Sequence, residues 1–216
     1  MKKINFLGDS ITQGACATKK ENTYCALVAE HFKAQECNFG IGGTRIAKQV
    51  KKTCNPDDDV FMNRAVTMDK DADFTFVFGG TNDYGHGDAR LGTFGDKDDY
   101  TFYGAFWNLV DYIKENFGDK ACFILPLPRY NEENPFGDGS KDVKGEPLSK
   151  YIQAEKEVLD FYGVEYLDLS YLFPTPKTNT GDTLTADGLH PNDYGHKLLA
   201  QRLIEYLECR LYKNKK

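Results

Sequence analysis

Four short apolar runs, Ile4–Leu7, Phe74–Phe78, Ala121–Leu125 and Val164–Leu169, punctuate the chain, with a weaker one at Ala34–Asn38. The four are bounded by Gly, Pro, Asn or Asp and show little polar alternation, which suits strands buried on both faces of a parallel sheet. Helical patterns fill the intervals. Tyr24, Leu27, Val28 and Phe32 mark the first, with Asn22 as its cap. Phe102, Phe106, Leu109, Ile113 and Phe117 repeat at steps of 4, 3, 4 and 4. Leu148, Tyr151, Ile152, Val158, Leu159 and Tyr162 mark a third, and Leu199, Leu203, Tyr206 and Leu207 a fourth. Such alternation implies an α/β fold with right-handed crossovers and helices covering both faces of the sheet. Five strands predict the flavodoxin-like order 2-1-3-4-5. No repeat or break in composition divides residues 1–216, so one domain is expected.

Charge narrows the partners. Lys and Arg total 27 against 33 Asp and Glu, a net charge of −6 that argues against nucleic acid or an anionic membrane. No stretch approaches the roughly 18 apolar residues of a membrane span, and the N-terminal apolar run is too short for a signal peptide. A cytoplasmic protein is expected. Its cysteines, Cys16, Cys25, Cys37, Cys54, Cys122 and Cys209, are never closer than 9 residues. That spacing fits neither a zinc site nor a redox dithiol, so free thiols, no metal and no cofactor are expected.

In open parallel sheets, ligands bind beyond the carboxyl ends of the strands. The residues there are informative. Gly8-Asp9-Ser10-Ile11-Thr12-Gln13-Gly14 follows the first run, Asn38-Phe39-Gly40-Ile41-Gly42-Gly43-Thr44 the second, and Gly79-Gly80-Thr81-Asn82-Asp83 the third. Three glycine-rich turns thus bring a hydroxyl, backbone donors and a side-chain amide to one crevice. The segments 79–99 and 126–147 are too long for simple connections and are candidates for shaping a pocket, and a third, 170–187, precedes the last helix. A base is still needed. Of four histidines, His31 and His196 lie in helical patterns and read as structural, His86 follows the third turn and is a candidate pocket residue, and His190 follows Asp187 by three. Of four serines, only Ser10 sits on a glycine turn at a strand end; Ser140 and Ser149 fall in or beside a polar loop, and Ser170 lacks comparable partners. Ester acyl transfer needs a nucleophile, a base, a group that orients the base, and oxyanion donors. Ser10, His190, Asp187 and the donors of Asn82 and the turns near Gly43 and Ser10 meet that list. Phosphate-loop and dinucleotide readings of the glycines fail on spacing.

Gly8-Asp9-Ser10, Gly43, Gly80-x-Asn82-Asp83 and Asp187-x-x-His190 resemble, in order and strand context, the four sequence blocks of the SGNH, or GDSL-type, hydrolases. The resemblance runs from Ile4 to the final helix. It implies a three-layer α/β/α sandwich with Ser10 as nucleophile, His190 as base and Asp187 orienting it. The oxyanion hole it implies comprises the Ser10 N–H, Gly43 and Asn82. Gly43 is preferred to Gly40 and Gly42 because it lies five residues after Asn38, the family's offset.

The expected activity is metal-independent hydrolysis of carboxylic esters through an acyl-Ser10 intermediate, falling in acid as the base is protonated. Small soluble esters fit best, with a short-chain acetyl esterase acting on carbohydrate as the leading specificity. Lysophospholipase or thioesterase specificity stays open within the same chemistry, as does an inactive flavodoxin-like binding module. Asp9 and Asp83 read as turn-fixing carboxylates. Arg45, Tyr84, Trp107 and Arg129 are weaker candidates for substrate contact.

Overall fold

The computed structural model describes residues 1–51, 59–130, 145–173 and 184–213. Five strands, β1 (Lys3–Gly8), β2 (Gln35–Gly40), β3 (Phe74–Phe78), β4 (Ala121–Ile124) and β5 (Tyr166–Leu167), form an all-parallel sheet in the order β2-β1-β3-β4-β5. The predicted order is the observed one.

Pleat alternation sends neighbouring side chains to opposite layers. Ile4, Phe6, Phe74, Phe76, Phe78, Cys122 and Ile124 pack against α2 (Tyr24–His31) and α7 (Asp193–Lys213). Leu7, Val77, Ala121 and Phe123 pack against α3 (Phe61–Ala65), α5 (Phe102–Phe117) and α6 (Leu148–Tyr162). Both faces are therefore dry, which is why the strands read as unbroken apolar runs. Each fully buried Phe contributes roughly 1.5–3 kcal/mol of transfer energy, and Phe6, Phe76 and Phe123 are all below 2% exposed.

The helices end where local chemistry dictates. The Thr101 hydroxyl accepts from the Gly104 N–H at 3.1 Å to start α5. Gly163 closes α6 at φ 60°, a conformation that side chains disfavour.

Three expected boundaries shift. Thr23, not Asn22, caps α2, its hydroxyl accepting from the Ala26 N–H at 3.3 Å. Asn22 is taken up in a 3-10 turn, Lys20–Asn22, and its amide donates to Asp193 at 2.8 Å. β2 starts after Ala34, whose N–H closes the end of α2 on the Ala29 carbonyl at 2.8 Å, and continues to Gly40. β5, at the sheet edge, shrinks to two residues because the chain leaves the strand on both sides: Val164 bonds back to Leu159, and Asp168 turns away to accept from Ser170.

The strand register positions the site. Gly8 stands opposite Gly40 on one side and Phe78 on the other, so the first three carboxyl ends are level. All three open on the same edge. No described helix is long and apolar enough to cross a membrane.

Candidate active site

Ser10 is the first residue of α1 (Ser10–Gln13), a single turn that follows β1 directly. Asp9 caps it by accepting from the Ile11 N–H at 3.0 Å. Gly8 is required here, because a Cβ would collide with the Thr12 side chain and the Phe78 carbonyl. Burial pushes the Asp9 carboxyl from an ordinary 3.8 up to about 6; the Ile11 hydrogen bond and the nearby His190 and Arg64 charges only partly oppose this.

Ser10 Oγ lies 2.8 Å from His190 Nε2, and His190 Nδ1 lies 2.6 Å from Asp187 Oδ2. Asp187 Oδ1 accepts from the N–H groups of Leu189 at 3.0 Å and His190 at 2.8 Å. The hydrogen-bond roles follow. An ionised carboxylate only accepts, so Nδ1 carries the proton and Nε2 is left to accept from the Ser10 hydroxyl. Burial alone would raise the Asp187 carboxyl, but its bonds to His190 and the two backbone N–H groups outweigh that and hold it below the usual range. The structure thus brings Ser10, His190 and Asp187 together as the sequence predicts.

Asn82 lies in α4 (Thr81–Gly85), immediately after β3. Its amide Nδ2 donates to the Thr44 carbonyl at 3.1 Å, which fastens α4 to the residue following Gly43. Asp83 strengthens that joint: its two oxygens accept from the Ile46 and Ala47 N–H groups, each at 2.9 Å. Gly42 packs against Ser10 and donates to Gln13 Oε1 at 2.9 Å. The N–H groups of Ser10 and Gly43 donate to no other described residue. Asp9 and Asp83 are the turn-fixing carboxylates expected of them.

Among the remaining candidates, His86 is exposed, its Nε2 lying 3.1 Å from Asn82 Oδ1 and its Nδ1 2.8 Å from an Arg45 nitrogen. Arg129 lies against Gly85 of α4. Tyr84 instead packs on Tyr151 in the core, and Trp107 joins Phe94, Phe161 and Tyr162 in an aromatic cluster of the α5–α6 layer. His31 pairs with Glu208 across α2 and α7, and buried His196 accepts from the Tyr24 N–H at 3.3 Å; both are structural as expected. Exposed Cys16 places its sulfur, with one donor atom each from Asp187 and His190, in a group mutually within 4.8 Å. Ser140 and Cys54, much of the 126–147 segment and part of 170–187 lie outside the described residues.

Two supporting residues have no motif to betray them. The Arg64 guanidinium, on α3, donates to the Gly8 carbonyl at 2.6 Å, to the Phe39 carbonyl, and to Thr44 Oγ1 at 2.8 Å. It pins the ends of β1 and β2 to the Gly43 loop. Glu155, 1% exposed on α6, sets Oε1 directly over Gly80 with no hydrogen-bond partner among the described residues. Burial, then the nearby Asp83 and Asp9 charges, push its carboxyl well above the usual range. The only local sign is a charge at helical spacing from apolar residues: Glu155 between Tyr151 and Val158, and Arg64 three residues after Phe61.

The model of the GDSL-like lipase/acylhydrolase family matches residues 6–198. The chain belongs to that family. A protein of known structure from Lactobacillus plantarum is 30% identical, with 96% of this chain and 97% of that one aligned at a TM-score of 0.80. The lipase/acylhydrolase from Enterococcus faecalis shares the fold at 20% identity and a TM-score of 0.66, with 97% of each chain covered. A two-domain esterase active on acetylated mannans aligns at 20% identity and a TM-score of 0.59, covering 96% of this chain but 49% of that one. A comparison with curated proteins gives no match. As a GDSL-like acylhydrolase, the protein is a carboxylic ester hydrolase.

Proposed function

We propose that this ester hydrolase, acting as one domain, works through an acyl-Ser10 intermediate and prefers short acyl groups, with acetylated carbohydrate as its substrate class. The unbroken hydrogen-bond chain from Ser10 through His190 to Asp187 carries the reading. His190 Nε2 takes the hydroxyl proton as Oγ attacks the ester carbonyl carbon, and Asp187 stabilises the imidazolium. The N–H groups of Ser10 and Gly43 and the Asn82 amide donate to the oxyanion, each such donor supplying about 2.7–4 kcal/mol. His190 then returns the proton to the departing alkoxide. Water repeats the sequence in reverse on the acyl-enzyme and releases the acid. No metal or cofactor is needed in any of these steps.

The short-acyl preference is supported by the mild negative charge of −6 and by the absence from the sequence of a long apolar lid segment. The mannan-active neighbour points in the same direction. A cytoplasmic location is proposed on the same footing, since Cys16, Cys25, Cys37, Cys122 and Cys209 are all free thiols.

The test is release of p-nitrophenol from p-nitrophenyl acetate by wild type and Ser10→Ala. Activity is expected in the first and a loss of at least about 1,000-fold in the second. Equal rates overturn the assignment of the nucleophile. A series of esters from acetyl to palmitoyl then reads specificity, and a maximum at long chains replaces the acetyl preference with a lysophospholipase-type or thioesterase one.

A further inference from the structure

We propose that His86 is a positioning residue for the oxyanion hole, locking the Asn82 amide in the one orientation that presents an N–H to the substrate. The proposal rests on the oxyanion role given to Asn82 above.

The argument is one of donors and acceptors. An arginine guanidinium has no acceptor, so the 2.8 Å contact between Arg45 and His86 Nδ1 requires that nitrogen to accept. The neutral ring then carries its proton on Nε2. That N–H, 3.1 Å away, donates to Asn82 Oδ1. Oδ1 therefore faces His86, and the amide nitrogen is turned the other way. One of its two hydrogens goes to the Thr44 carbonyl at 3.1 Å, and the second remains for a ligand.

A carboxamide turned by a half rotation would aim Oδ1 at the Thr44 carbonyl and at the oxyanion, repelling both. Thr44 opposes that rotation from one side and His86 from the other. Arg45 is 7% exposed and itself anchored, its carbonyl accepting from the Phe61 N–H at 3.1 Å, so the relay begins on a fixed point. His86 is four residues after Asn82 and caps the C-terminus of α4, its N–H donating to the Asn82 carbonyl at 3.1 Å, which holds the two side chains close. The ring lies exposed, so replacing it leaves the core untouched.

A histidine that merely lined the rim, touching substrate, would act on KM and act whether or not Asn82 were present. The experiment separates the two with p-nitrophenyl acetate kinetics on wild type, His86→Phe, His86→Gln, Asn82→Ala and the His86→Phe/Asn82→Ala double variant. Melting temperatures are recorded for each. Asn82→Ala is expected to lower kcat about 100- to 1,000-fold. His86→Phe is expected to lower kcat about tenfold with KM within about twofold, as a misoriented rather than a missing donor should. In His86→Gln the side-chain amide donates to Oδ1 and accepts from Arg45, and most of the lost kcat returns. Adding His86→Phe to Asn82→Ala should change kcat by no more than about twofold, since the two residues act as one unit. Unchanged kcat in His86→Phe, a loss confined to KM, failure of His86→Gln to recover activity, or a full further loss in the double variant overturns the proposal. Wild-type kcat in Asn82→Ala alone overturns the oxyanion assignment first, and this inference with it.

Discussion

Gly188 and Tyr130 are locked backbone to backbone: the Tyr130 N–H donates to the Gly188 carbonyl at 2.9 Å, and the Tyr130 carbonyl occupies the space where a Cβ on residue 188 would project. Gly188 lies between Asp187 and His190 and holds φ at 85°. This joint fastens the base-bearing loop to the segment after β4. Gly188→Ala must strain the backbone and also push Tyr130 aside. A stability loss of about 2 kcal/mol or more is expected, with a fall in kcat as His190 moves off Ser10. Urea unfolding and p-nitrophenyl acetate turnover measure the two effects, and stability within about 0.5 kcal/mol of wild type would show the joint to be slack.

Asp9 makes stability and pH pull against each other. With its carboxyl at about 6 in the fold and near 3.8 when unfolded, the native state binds the proton more tightly between those values. Its contribution therefore declines as pH rises through that window and is level above it. At neutral pH the buried charge costs the fold about 3 kcal/mol. Asp9→Asn keeps the acceptor for the Ile11 N–H and removes the charge. It should be more stable than wild type at pH 7.5, with the gap closing towards pH 4. Turnover should fall several-fold, because a negative charge facing protonated His190 is lost. A gap that is equal at both pH values falsifies the linkage.

Cys16 exposes the triad to thiol chemistry. Its sulfur belongs to the cluster with Asp187 and His190, so an adduct there wedges against the base. Burial of the sulfur, then the Asp187 charge, hold the thiol above its ordinary range. Reaction with N-ethylmaleimide should be slow at pH 7 and speed up at pH 9, since the thiolate is the nucleophile. Activity should be lost in step with a single mass addition at Cys16, and Cys16→Ser should resist. Inactivation of Cys16→Ser at the wild-type rate would place the sensitive thiol elsewhere.

The residues proposed to react are more legible than those that support them. Ser10, Asn82, Asp187 and His190 announce themselves because each sits in a short block whose spacing is local. The sheet order could be read because burial on both faces leaves β1, β3 and β4 as plain apolar runs. Boundaries blurred where a residue had two uses: Ala34 ends a helix before it can start a strand, and Val164 does the same next to β5. Arg64 and Glu155 were out of reach for a different reason. The glycines they sit against, Gly8 and Gly80, are 56 and 75 positions away in the chain, and a charge spaced among apolar residues is only a weak local sign of burial. The Arg45–His86–Asn82 relay was half visible, as a histidine near the third block without its cation.

The separation of 180 positions between Ser10 and His190 also sets a temporal order. A ribosome makes the proposed nucleophile well before the proposed base. The growing polypeptide carries Ser10 on its glycine turn with no partner to take the proton, and remains chemically silent. On the proposed mechanism, hydrolytic competence arrives only when the loop bearing His190 folds back onto the edge formed by β1. On that mechanism, a chain released before Asp187 is inert rather than half active.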